Sequence, residues 1–242
     1  MFAIFKREFF SFFHSQMAYI IVGVFLLACG LLFWLFPETS ILEYGYAEMS
    51  GFFSLAPYLF MFLVSAITMR SFAEERKEGT FILLATKPLS ELQIVLGKYF
   101  AAVLILVLAI LPTSVYYFSI YYLGFPQGNI DTGAVLGSYL GLLCLGAGFT
   151  AIGVFASSLT KNQMVAFAIS VLLCFFTYAG LLSLSKVSFL VSVEEMLRYM
   201  SVAEHYESMS RGVLDTRDLG YFFVFSFFFV FLTKLTVEGR KW

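Results

Sequence analysis

Formal charge is missing from most of this chain. Residues 9–37, 49–69, 99–130, 132–160 and 162–185 contain no Asp, Glu, Lys or Arg, and 219–233 forms a shorter sixth stretch of the same kind. A bilayer core about 30 Å thick is crossed by roughly 20 apolar residues in a helix. The first five stretches are long enough, and the sixth reaches that length if Lys234 snorkels. With 60% hydrophobic residues, 13% charged and a mean hydropathy of +0.88, no room is left for a water-soluble domain. The longest polar segments, 70–98 and 185–218, are about 30 residues each, too short for a sizeable soluble core.

Other shortages exclude specific chemistry. The three cysteines, Cys29, Cys144 and Cys174, all fall inside apolar stretches, so neither a disulfide framework nor a zinc spacing exists. Of the two histidines, His205 stands beside Glu204 without a second histidine at ligand spacing, which disfavours a metal site. Gly97-Lys98 superficially resembles a phosphate loop, but Leu92 stands where its first glycine belongs and Tyr99 where Ser or Thr belongs. Ser65, Thr68, Thr113 and Thr150 form no nucleophile–base set, so no enzyme is read here. No charge lies mid-span, which argues against a proton relay or ion-driven transport and for an outside energy source. No cofactor and no nucleic-acid partner is expected.

What is present is charge gathered in the gaps. With spans at 17–36, 52–69, 100–121, 137–158, 164–184 and 219–236, the tails and loops alternate in sign. The N-terminal tail, the 70–98 loop, the Lys161 turn and the C-terminal tail hold eleven of the fifteen Lys and Arg, and the other three loops hold four against ten carboxylates. The positive-inside rule then places both termini in the cytoplasm. The run from Met17 to Phe36 is longer than a signal-peptide core and lacks a small-residue cleavage site, so it reads as a retained first span. In the fourth span, Gly137, Gly141, Gly146, Gly148 and Gly153 make a small-residue face, either for packing within the bundle or for a dimer or pathway.

Three segments carry the functional reading. In residues 1–15, Phe2, Phe5, Phe9 and Phe12 recur at helical spacing, with Lys6 and Arg7 between them facing anionic headgroups. This is an interfacial amphipathic helix, either a plain lipid anchor or a force-transmitting lever. In the 70–98 loop, Arg70, Glu74, Glu75, Arg76 and Lys77 form a short charged helix stopped by Gly79. Thr80 opens a second one bearing Phe81, Leu83 and Leu84, and Pro88 breaks it. Ser90-Glu-Leu-Gln93 is a capping box, with Leu89 and Ile94 as a staple, so the third span's helix starts near Glu91. The apolar knobs either meet a protein partner or fold back on the bilayer. In the 185–218 loop, Ser192–Glu195 and Ser201–Glu204 are further capping boxes, and the segment is apolar enough to dip into the membrane or cap the bundle. Arg211, Asp215, Arg217 and Asp218 form either an ion-pair latch on the last span or ordinary interfacial charge.

Six spans, an amphipathic start and a structured loop after span two resemble the ABC-2 type permeases. Glu75-Arg-Lys-Glu-Gly-Thr80, Leu83-Leu84-Ala-Thr-Lys-Pro88 and Ile94-Val-Leu-Gly-Lys98 are similar to that family's first intracellular loop. Pro57, Met69-Arg-Ser-Phe72, Gly128-Asn-Ile-Asp131, Asn162-Gln163 and Arg211-Gly-Val-Leu-Asp-Thr-Arg-Asp218 extend the resemblance, over nearly the whole chain, to the gliding-motility-associated permease subunits. Ile82 departs from it, standing where related permeases commonly carry a carboxylate. The resemblance implies an all-α, six-helix membrane unit over 1–242 in a bacterial inner membrane. It also implies a separate ABC ATPase subunit, a second membrane subunit or a second copy, and 70–98 as the coupling element. The substrate is not implied. A different class of reading is a scaffold that relays ATPase motion to a motility or secretion machine without transport.

Overall fold

The computed structural model describes residues 1–36, 40, 48–81, 90–186 and 194–239, and helix is the only regular structure among them. Helix α1 (Phe2–His14) precedes α2 (Gln16–Trp34). Helix α3 (Ser50–Thr68) passes through a turn into α4 (Ala73–Glu78). Helices α5 (Glu91–Ile110) and α6 (Ser114–Leu123) are joined by a tight turn at Leu111–Thr113. Helix α7 (Thr132–Leu159) follows, then α8 (Gln163–Phe175) and α9 (Leu181–Ser185), joined by the wide turn Phe176–Gly180. Helices α10 (Glu194–Met200), α11 (Val202–Ser210) and α12 (Thr216–Glu238) complete the chain. Six continuous helical runs are long and apolar enough to cross a membrane, as the charge-free stretches require.

The third run begins well before its apolar stretch. Ser90 Oγ accepts the Gln93 amide at 3.3 Å and Gln93 Oε1 accepts the Ser90 amide at 3.4 Å, so the capping box starts α5 at Glu91 in the polar segment, where its sequence placed it.

Helix α7 is the hub. Its most apolar window is 72% buried, against 22% for α2 and for α12, and it contacts α3, α5, α8, α11 and α12. Its glycines explain that position. A methyl on Gly146 would collide with Leu106 of α5, and one on Gly153 with Thr68 of α3, while Gly141 receives Met209 of α11. The small-residue face therefore packs inside the bundle, where close backbone approach supplies dispersion contact that lipid cannot drive otherwise.

Irregularities in the spans are stitched by the segment after α9. Pro57 offers no N–H to the carbonyl four residues earlier, that of Phe53. Tyr206 of α11, only 2% exposed, donates its hydroxyl to that carbonyl at 2.9 Å. Likewise Ser201 Oγ donates to the Tyr178 carbonyl, inside the wide turn, at 3.1 Å. The capping box expected at Ser201 is thus not formed: Ser201 stands at the N-cap of α11 with no side-chain cap bond, because its hydroxyl serves α8's turn. In hydrocarbon an unpaired carbonyl is costly, so the tertiary demand outranks the local one. The segment docks into the bundle through α11, whereas α10 has no buried residue. The capping box at Ser192–Glu195 reaches outside the described residues.

Candidate coupling site

Helix α4 is the short polar helix that the sequence marks for function, and two neighbours fix it. The first amides of a helix have no partner within it. Those of Phe72 and Ala73 donate to Ser157 Oγ of α7, at 3.0 and 3.1 Å, and the same hydroxyl donates to the Met69 carbonyl at 3.0 Å. Arg76 reaches past it to the carbonyl of Ser158. At the other end Gly79 adopts a left-handed φ of 72°, which ends the helix as its sequence predicts. Thr80 Oγ1 donates to the Glu75 carbonyl at 3.3 Å. Phe81 lies 6.3 Å from the ring of Phe72 and 5.7 Å from the Arg76 guanidinium. Lys77 is exposed. Leu83, Leu84 and Pro88, with the staple residue Leu89, lie outside the described residues.

The second neighbour is α1. Ile4, 4% exposed, seats α1 on the start of α5, where a Cβ on Gly97 would lie 3.1 Å from Ile4 Cβ. The next residue, Lys98, has a side chain with no exposure at all. Its ammonium is 3.0 Å from Glu8 Oε1 of α1, 3.0 Å from Glu75 Oε2 of α4 and 2.6 Å from the carbonyl of Ser71, and it sits 5.0 Å from the ring centre of Phe72. Arg7 pairs with Glu8 at 2.6 Å and also with Glu75. Arg70 grips Glu74 through two bonds of 2.8 Å and donates to Ser15 Oγ, between α1 and α2, at 2.8 Å.

Burial tends to raise the Glu8 carboxyl, but the ammonium of Lys98 and the hydrogen bonds from Arg7 and Lys98 outweigh it and hold the group below its ordinary value. A polar cavity of about 400 Å³ opens beside this network, rimmed by Arg7, Glu8, Arg70, Glu74, Glu78 and Thr80.

Arg7, its side chain half-exposed, also turns inward to pair with Glu8 and Glu75, while Lys6 lies 5.9 Å over the Phe10 ring. Phe2, Phe5 and Phe9 stack in sequence along α1 at 6.1 and 6.4 Å, and Phe12 packs partly buried against the core. One expectation changes: the ion-pair latch is replaced. Among the described residues, neither Arg211 nor Arg217 pairs with Asp215 or Asp218. Arg211 pairs one turn back with Glu207, and Asp215 caps α12 by accepting the Arg217 amide at 2.9 Å.

Asp218 is buried, and it holds α11 to α12 by accepting from Ser208 and meeting His205 Nδ1 at 2.8 Å. His205 Nε2 faces the Tyr199 carbonyl at 2.9 Å and the ring stacks on Tyr221 at 3.9 Å.

Lys98, Glu8 and Ser157 are the residues that sequence reasoning passed over. Lys98 had a signal, since it is the last charge before a 32-residue charge-free stretch and follows a glycine, which admits a close neighbour. Glu8 and Ser157 had none, because their partners lie 90 and 85 residues away in the chain.

Six membrane-crossing runs, one of them a central helix against which four of the others pack, with a charged helix hung from the end of the second, define a multi-pass membrane protein. Residues 38–237 match the family described as ABC-2 family transporter protein, and the chain belongs to that family of transporter membrane components. Helices α1 and α2 precede the matched range. A search of the curated proteins finds no match.

Proposed function

We propose that the chain, as one transmembrane unit over 1–242, is the permease subunit of an ABC exporter. A separate ATPase subunit drives it, beside a second membrane subunit or a second copy. In this reading it lies in a bacterial inner membrane with both termini cytoplasmic, because the two tails, the 70–98 loop and the Lys161 turn hold eleven of the fifteen Lys and Arg in the sequence. Residues 70–98 receive the ATPase stroke, and the exported substrate serves gliding motility. The motility link rests on the sequence resemblance alone.

One observation carries the coupling role: Ser157 of the hub helix caps α4 from outside it. A push on α4 is then delivered to α3 by the chain and to α7 by these bonds, so the bundle's centre moves with it. Co-purification tests the class. A tagged chain is expected to bring down a nucleotide-binding subunit, and in reconstituted vesicles ATP is expected to drive flux of a cell-derived solute. ATP hydrolysis stimulated by the permease without any flux would reject export in favour of force relay.

A further inference from the structure

Building on the reading of α4 as the element that receives the stroke, we infer that Lys98 is a positioning residue that makes α1 and α4 move as one body. Its ammonium donates to Glu8 on α1 at 3.0 Å and to the Ser71 carbonyl before α4 at 2.6 Å, and it stands in ion-pair contact with Glu75 on α4 at 3.0 Å. Each contact comes from a different piece of backbone, while Lys98 itself belongs to α5. The side chain has no solvent exposure, and those of Glu8 and Glu75 are 21% and 14% exposed. Pulling α1 away from α4 would take a carboxylate partner from a fully buried ammonium. Breaking one partner out of a buried pair is far more costly than the pair is stabilising. Arg7 doubles the link by contacting Glu8 and Glu75 together.

The node decides between the two roles left open for α1. A lipid anchor needs only its phenylalanines and surface cations. A carboxylate turned inward onto a buried lysine serves no lipid contact; it serves attachment to α4. With 13 residues at about 1.5 Å each, α1 gives α4 an arm of roughly 20 Å along the bundle's surface.

The test uses the permease with its ATPase subunit in nanodiscs, Cys144 replaced by alanine, and spin labels at the exposed positions Lys6 and Glu78. The expected result is one narrow distance, the same in nucleotide-free and ATP-trapped states. Lys98→Met is expected to broaden that distance and to reduce ATP hydrolysis to the rate of the ATPase subunit without permease. Lys98→Arg, which keeps a cation at the node, is expected to retain both where Lys98→Met loses them, which a merely structural effect of changing the side chain would not predict. Should Lys98→Met fail to insert, Glu8→Gln carries the same expectation.

A narrow distance in Lys98→Met or Glu8→Gln, a wild-type distance that changes with nucleotide, or a Lys98→Arg protein as broad as Lys98→Met would overturn the inference. A Glu78–Lys161 distance insensitive to nucleotide, with Lys6–Glu78 still narrow, would instead reject α4 as the coupling element and leave the node intact.

Discussion

Ser157 on the hub helix stands 3.0 Å from the backbone amide of Phe72, so the N-terminus of α4 is capped by a residue from another span. A cap usually comes from the chain just before its own helix. Here the helix is anchored to the part of the bundle that it is proposed to move. Ser157→Ala leaves the amides of Phe72 and Ala73 without that acceptor, at about 1–3 kcal/mol for a buried orphan. Thermal unfolding in nanodiscs is expected to shift down by about 2–4 °C per kcal/mol. Stimulation of the ATPase is expected to fall with it, and an unchanged melting curve would remove Ser157 from the account.

Acid should release α1. The Glu8 carboxyl is held below its ordinary 4.5, so the stability it contributes is complete above that value and is lost as pH falls through the lower value of the folded protein. Fluorescence from a label at Lys6 is expected to report release only below about pH 4.5. Glu8→Gln should be released already at neutral pH and show no such transition.

The Tyr206 hydroxyl is expected to matter only because of Pro57. Tyr206→Phe leaves the Phe53 carbonyl unpaired at about 1–3 kcal/mol. In a Pro57→Ala background, residue 57 regains an N–H for that carbonyl, and the cost of Tyr206→Phe should shrink markedly. A double-mutant cycle read by thermal unfolding measures the coupling; additive costs would count against this pairing.

Glycines of α7 and α12 should respond oppositely to a methyl. Gly153→Ala drives a carbon into Thr68 and is expected to lower the yield of folded protein, as overpacking by about 1–3 kcal/mol would. Gly220→Ala meets nothing within 4 Å and is expected to leave yield unchanged or raise it. Size-exclusion profiles of the two variants check this.

The spans were legible because charge is excluded from hydrocarbon, and Gly79 and the Ser90–Gln93 box because turns and caps are chosen locally. What sequence reading missed shares one cause. Ser201 reads as a cap but serves the Tyr178 carbonyl, and Arg211 reads as part of a latch but pairs with Glu207. The joint it would have made passes to Asp218, His205 and Ser208. Lys98 enters the sequence reading only within short motifs, one of them similar to the family's, yet its side chain has no exposure. Each of these choices is settled by a partner brought close only by packing.

The most direct measurement of the central claim is site-specific photo-crosslinking in cells, with the reactive group at Glu78, the exposed last residue of α4, or at exposed Val213 between α11 and α12. The account expects the Glu78 probe, and not the Val213 probe, to capture a protein identified by mass spectrometry as a nucleotide-binding ATPase. Capture of that ATPase from Val213, or its absence from Glu78 in a complex that co-purifies with it, would contradict the assignment of α4 as the coupling element.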